Sequence, residues 1–145
     1  MVTVKYDDLS MAFEFVNSAP QTENNAYISL DTGAIFWMSE NNPAEEGVPD
    51  DLETSDRYIA IPHKNDLDLG RNLVLRFVAQ EIPEHSDRIQ GFFRRKGAYR
   101  RFKDLLESQA LLEKWYAFEA ESTERALRDW CTANEIQIVE IDDAA

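Results

Sequence analysis

The stretch Arg94 to Lys103 reads RRKGAYRRFK, so ten residues carry six of the chain's fifteen Lys and Arg and no Asp or Glu, in a protein of net charge −13. Guanidinium and ammonium groups in this density do one kind of chemistry: they bind anions. Left alone they repel one another, so either an acidic face of the same protein or a ligand from outside must meet them. The candidate binding residues are Arg94, Arg95, Lys96, Gly97, Arg100, Arg101 and Lys103. Gly97 belongs in the set because a helix that ends there and restarts would offer free backbone N–H groups beside the cations, an arrangement suited to a phosphate or a carboxylate.

The protein has enough acids of its own to offer the alternative. Residues 1–56 hold twelve Asp and Glu against Lys5 alone, residues 57–103 hold eleven bases against five acids, and residues 104–145 hold eleven acids against three bases. Either flank could neutralise the middle block, at a modest energy per exposed pair.

Other residue patterns point to chemistry less well. Leu30-Asp31-Thr32-Gly33 resembles the catalytic turn of aspartic proteases, in which two such carboxyls share a proton. That fold is all-β with two turns; this chain has one, and the residues past Pro62 have helical periodicity, so a hairpin turn is the reading. Asn65 to Gly70 suggests a calcium loop, but Gly70 falls one place early and the closing Glu is missing. His63 and His85 stand twenty-two residues apart with no metal-ligand spacing. Cys131 is the single cysteine, which excludes an internal disulfide, and with no His or Lys beside it a packed thiol is expected over a nucleophile. No catalytic residue, metal site or cofactor is expected.

The elements that must hold the basic stretch follow from apolar spacing. Tyr6 to Val16 has a helical period. Tyr27 to Leu30 and Ala34 to Met38 form a hairpin closed at Asp31-Thr32-Gly33, and Arg57 to Ile61 is a third strand. Residues 39–56 read as a long acidic loop. Leu69, Leu73, Val74, Phe77 and Val78 mark a helix, Pro83 opens another bearing Ile89, Phe92 and Phe93, and Tyr99, Phe102, Leu105 and Leu106 mark a third. In that third helix Arg100 with Asp104 and Lys103 with Glu107 stand at i,i+4. Leu111 to Asn134 is helical with a break expected near Ser122-Thr123, and Ile136 to Ile141 is a last strand. The fold class is α+β: one domain over 1–145, a small, mostly antiparallel sheet (hairpin at about 26–38, strands at about 57–61 and 136–141) covered by four to six helices.

The aromatics interleaved with the arginines could stack nucleic-acid bases. However, Ile89, Phe92 and Phe93 share one helix face and Tyr99, Phe102 and Leu106 another, which is the spacing of core anchors. Trp115-Tyr116-Ala117-Phe118 reads as core for the same reason.

The order of these pieces, from the Leu30-Asp31-Thr32-Gly33 hairpin through Ile61-Pro62, Phe77 and Lys96-Gly97-Ala98-Tyr99-Arg100-Arg101-Phe102-Lys103 to Trp115-Tyr116 and Trp130, resembles the bacterial Uncharacterised Protein Family 0158 over roughly residues 25–138. The Gly-Ala-aromatic-Arg-Arg-Phe-Lys core is its most specific part, with Tyr99 where the family favours Phe. The resemblance implies a bacterial, cytoplasmic protein and brings no activity or cofactor with it.

Taken together, the residues lead to a non-catalytic cytoplasmic interaction or regulatory module that uses the 94–103 patch, with another protein as partner and no membrane. The alternatives are a binder of a phosphate-bearing ligand or nucleic acid through the same patch, and an enzyme on a phosphorylated substrate with His63 or His85 beside the arginines.

Overall fold

The computed structural model describes residues 2–18, 24–39, 49, 51 and 53–139, so of the expected acidic loop, residues 40–48, 50 and 52 lie outside the described residues. In chain order the elements are β1 (Val2–Lys5), α1 (Tyr6–Asn17), β2 (Asn24–Ser29), β3 (Ile35–Ser39), β4 (Tyr58–Ala60), α2 (Arg71–Glu81), α3 (Ser86–Phe92), α4 (Ala98–Ser108), α5 (Leu112–Ala133) and β5 (Ile136–Val139), with short 3-10 turns at Lys64–Leu67 and Pro83–His85. The arrangement is α+β. The chain divides into two compact units, one of Met1–Lys64 with Ala126–Ala145 and one of Asn65–Arg125.

In the first unit, α1 buries Leu9, Ala12, Phe13 and Val16, the i, i+3, i+4, i+7 stripe of a helix with one dry face. Asp7 and Asp8 in its first turn complement the positive end of the helix dipole. β2 is the centre of a three-stranded antiparallel sheet ordered β3-β2-β4. Tyr27 lies opposite Phe36 on one side and Ala60 on the other. Ala26 and Ile28 are fully buried.

The hairpin closes as expected. Ser29 N–H donates to Ala34 O and Gly33 N–H to Ser29 O, both at 2.8 Å, while the buried Ser29 Oγ accepts from the backbone N–H of Asp31 and Thr32 at 3.2 Å. Gly33 takes φ +81°, and a Cβ there would run into the Thr3 carbonyl oxygen, so both its conformation and its surroundings require glycine.

Two details differ from the sequence reading. The last strand does not join the hairpin's sheet: β5 pairs in parallel with β1, Val2 opposite Ile136 through Lys5 opposite Val139. Parallel partners need a long crossover and leave no turn signal, and β1 is a four-residue strand with only Val4 buried. Nor does α5 break at Ser122-Thr123; it runs as one helix of 22 residues, because two residues of middling propensity do not outweigh the turns on either side.

The second unit is helical. Phe77 of α2, Phe102 of α4 and Trp115 and Phe118 of α5 form an aromatic cluster, with ring centroids 6.5 Å apart for Phe77–Phe102, 5.3 Å for Phe77–Trp115 and 4.9 Å for Phe102–Trp115. These three pairs meet edge to face at 74–86°, the preferred geometry of aromatic quadrupoles. Trp115 is 1% exposed and Phe102 0%. The buried Trp115 Nε1 has no hydrogen-bond partner among the described residues.

The two left-handed glycines make a comparison. Gly97 has φ +80° but open space where a Cβ would sit. Gly97→Ala is expected to cost about 1 kcal/mol from the backbone alone, and Gly33→Ala roughly 2 kcal/mol or more because the clash with Thr3 adds to it. Urea unfolding of both variants gives the ranking.

Candidate functional site

α3 ends at Phe92, and after a five-residue turn α4 starts at Ala98. Gly97 is the residue before α4, in the left-handed region, and its carbonyl accepts from Arg101 N–H at 3.1 Å. No side chain caps α4, and its first turn holds no acid. The turn is pinned from within by Phe93, whose ring meets Tyr99 edge-on at 5.4 Å and lies under the Arg71 guanidinium at 5.7 Å. Burial, with the Glu119 carboxylate adding to it, raises the Tyr99 hydroxyl above its ordinary pKa.

This geometry determines where the candidate residues point. Arg94, Arg95, Lys96, Gly97, Arg100 and Arg101 are all exposed. None of those five cations forms an ion pair among the described residues, whereas Arg57 pairs with Asp31, Lys114 with Glu81 and Arg125 with Glu121. The expected i,i+4 pairs of Arg100 with Asp104 and Lys103 with Glu107 are not made. Lys103 differs from the other five: its ammonium stands 5.6 Å over the ring of Tyr116, so a cation–π contact with a residue one helix away holds it. The structure therefore brings together at one corner five cations without an ion pair among the described residues and gives the sixth a partner.

The placement has an energetic cost. Arg100 and Arg101 occupy the third and fourth positions of α4, at the end where the helix dipole is already positive. A cation there is unfavourable by about 0.3–1 kcal/mol. Like charges on neighbouring residues add to that.

Beside the corner lies an open groove of about 400 Å³ lined by Arg88, Phe92, Arg101, Asp104, Leu105 and Ser108. Its walls are mixed: two guanidiniums, one carboxylate and an apolar floor. Composition singles out Arg101; it gives no reason to pick Arg88, which joins the groove from α3 and also stands 5.9 Å over the Phe92 ring. Neither histidine lines this groove, and among the described residues no three of His, Cys, Asp and Glu gather into a metal-holding group.

Of the interleaved aromatics, Phe102 is in the core as its phase predicts, Phe93 and Tyr99 are half-buried, and Phe92 is half-buried and lines the groove. Trp115 is core as well, while Tyr116 remains 46% exposed under Lys103. No helix among the described residues is long and apolar enough to cross a membrane.

A sequence model of Uncharacterised protein family (UPF0158) matches residues 4–144, nearly the whole chain. The chain belongs to that family. No curated protein and no solved structure matches it. Membership fits the stretch from Gly97 to Lys103 that first suggested it, and assigns no reaction.

Cys131 sits in α5 at 1% exposure. Burial pushes its thiol up to about 11, against a smaller lowering by Arg128, so at pH 8 only about one molecule in a thousand carries a thiolate. Iodoacetamide at pH 8 is expected to leave Cys131 unmodified in the native protein and to label it in denaturant, as intact mass will show. Rapid native labelling would mean an accessible, activated thiol.

Proposed function

We propose that the chain is a non-catalytic interaction module of the bacterial cytoplasm that captures an acidic segment of another protein at the corner between α3 and α4. The observation that carries this reading is the set of five exposed cations, Arg94, Arg95, Lys96, Arg100 and Arg101, without an ion pair among the described residues in a chain of net charge −13. Cations that oppose a helix dipole and bond no acid among the described residues are suited to serve something outside the fold.

Three features favour a protein partner. Of the rings that could have stacked on bases, Phe102 is buried, Phe93 and Tyr99 pack on each other, and Phe92 alone lines the groove. The adjoining groove offers Phe92 and Leu105 for apolar side chains, and its Asp104 would repel a phosphate while accepting a peptide N–H. Electrostatic steering at such a corner raises association rates more than it deepens affinity. The lone buried thiol suits a reducing compartment. One feature supports a second reading, a phosphate-bearing ligand or nucleic acid: the first turn of α4 has no side-chain cap, and uncapped helix starts bind phosphate.

Calorimetric titration of the full chain separates the two. The ligands are a Glu-rich peptide carrying Leu and Phe, inorganic phosphate, and a short single-stranded RNA, each at 50 and 300 mM salt. The protein reading predicts that the peptide binds most tightly, that salt weakens it, and that Arg100→Glu/Arg101→Glu lowers affinity at least tenfold with an unchanged circular dichroism spectrum. Preference for phosphate or RNA, lost in the same variant, would establish the second reading. No binding of any of the three would refute both.

A further inference from the structure

The first unit has a surface unlike the basic corner. β3 pairs with β2 alone and is an edge of its sheet. Ser29 N–H donates to Ala34 O across the hairpin, so in the antiparallel ladder Ala34, Phe36 and Met38 face β2, and the N–H and C=O groups of Ile35 and Trp37 turn to the open side. Neither has a backbone partner there among the described residues. The strand reads IFWMS, with no charge, proline or bulge of the kind that protects an exposed edge.

Past the pinch where the Thr3 carbonyl points at Gly33, a slot of about 380 Å³ opens beside this edge, lined by Thr3, Val4 and Lys5 of β1, Asp8 and Met11 of α1, and Ile35 and Trp37 of β3. Met11 is 58% exposed and Trp37 is 38% exposed, with its ring 4.8 Å from Phe15. Asp8 forms no ion pair among the described residues.

Charge identifies the occupant further. The unit holding this slot carries seventeen Asp and Glu against four Lys and Arg, whereas the unit of Asn65–Arg125 carries eleven of each. The net charge of the chain thus belongs to the unit that holds the slot. An extended backbone satisfies an open strand edge, apolar side chains suit Met11 and Trp37, and a cation suits Asp8 in an acidic unit.

We propose that the slot takes an extended basic peptide of a partner protein as an added strand on β3, with alternate apolar side chains on Met11 and Trp37 and a Lys or Arg opposite Asp8. This is strand addition, in which main-chain hydrogen bonds supply affinity and alternate side chains supply selectivity. It is a second surface, opposite in charge preference to the corner between α3 and α4.

The test is amide NMR of the full chain titrated with a hexapeptide alternating Val and Lys, its Val/Glu counterpart, and a Val/Lys version N-methylated on alternate residues so that its edge cannot donate. Expected are shift changes and slowed exchange at the Ile35 and Trp37 amides with the Val/Lys peptide only, an affinity at least fivefold weaker in Asp8→Lys, and no change in Arg100→Glu/Arg101→Glu. Asp8 is exposed, so this variant folds; Trp37→Lys is the second variant and is expected to abolish the response. No shifts at low-millimolar peptide, equal binding of the N-methylated peptide, or a dimer in light scattering that Trp37→Lys dissociates would overturn the proposal, the last by showing that a second copy covers the edge.

Discussion

Burial of Phe102 against Phe77 and Trp115 fixes the rotation of α4 about its own axis, since successive residues turn by about 100° and Leu105 and Leu106 fall on the same face. Truncating an aromatic in such a site costs about 3–5 kcal/mol, far more than any exposed charge can return. With Phe102 inside, Arg100 and Arg101 have nowhere to go but outward, and Gly97 aims the preceding Arg94, Arg95 and Lys96 at the same solvent. The corner is thus a by-product of core packing in its geometry. It is not a by-product in its composition, because neutral or acidic residues at these positions would suit the start of α4 better.

The two units treat charge differently. The helical one balances its charges and gathers five of its eleven cations at one corner; the other is acidic and leaves an apolar strand edge uncovered among the described residues. Rigid elements support both surfaces: an aromatic cluster behind the first, and behind the second a hairpin held by Ser29 and Gly33. Each of the two grooves is lined by a single carboxylate, Asp104 in one and Asp8 in the other, and by no histidine. The proposed binding role draws on that arrangement.

Local pattern made much of this legible. The stripe of Leu9, Phe13 and Val16, the Asp31-Thr32-Gly33 turn and the spacing of Tyr99, Phe102 and Leu106 each report a nearest-neighbour constraint, and the elements stand within a few residues of where those signals put them. Pairing between distant segments was not legible. The alternation Val2, Val4 marks a strand, yet nothing in it names Ile136 to Val139 as the partner, since parallel pairing depends on what the intervening chain does. The candidate site divides the same way. Composition finds RRKGAYRRFK, but whether its cations are bare is a matter of which acids come near in space. Arg88 enters the groove and Tyr116 takes Lys103 through contacts between helices that no spacing in the sequence encodes. The open edge of β3 is equally invisible, because an edge is defined by the strand that is missing beside it.

Whether the cations serve the fold or something beyond it can be measured without knowing any partner. Equilibrium urea unfolding of the wild type and of Arg100→Glu/Arg101→Glu, each at 20 and 500 mM salt, reads their contribution directly. Bare cations at the positive end of a helix predict a variant as stable as the wild type or more stable by up to about 1 kcal/mol at low salt, with the difference shrinking at high salt. A variant less stable by about 2 kcal/mol or more would mean that the arginines hold the protein together, and would contradict the assignment of this corner to a ligand.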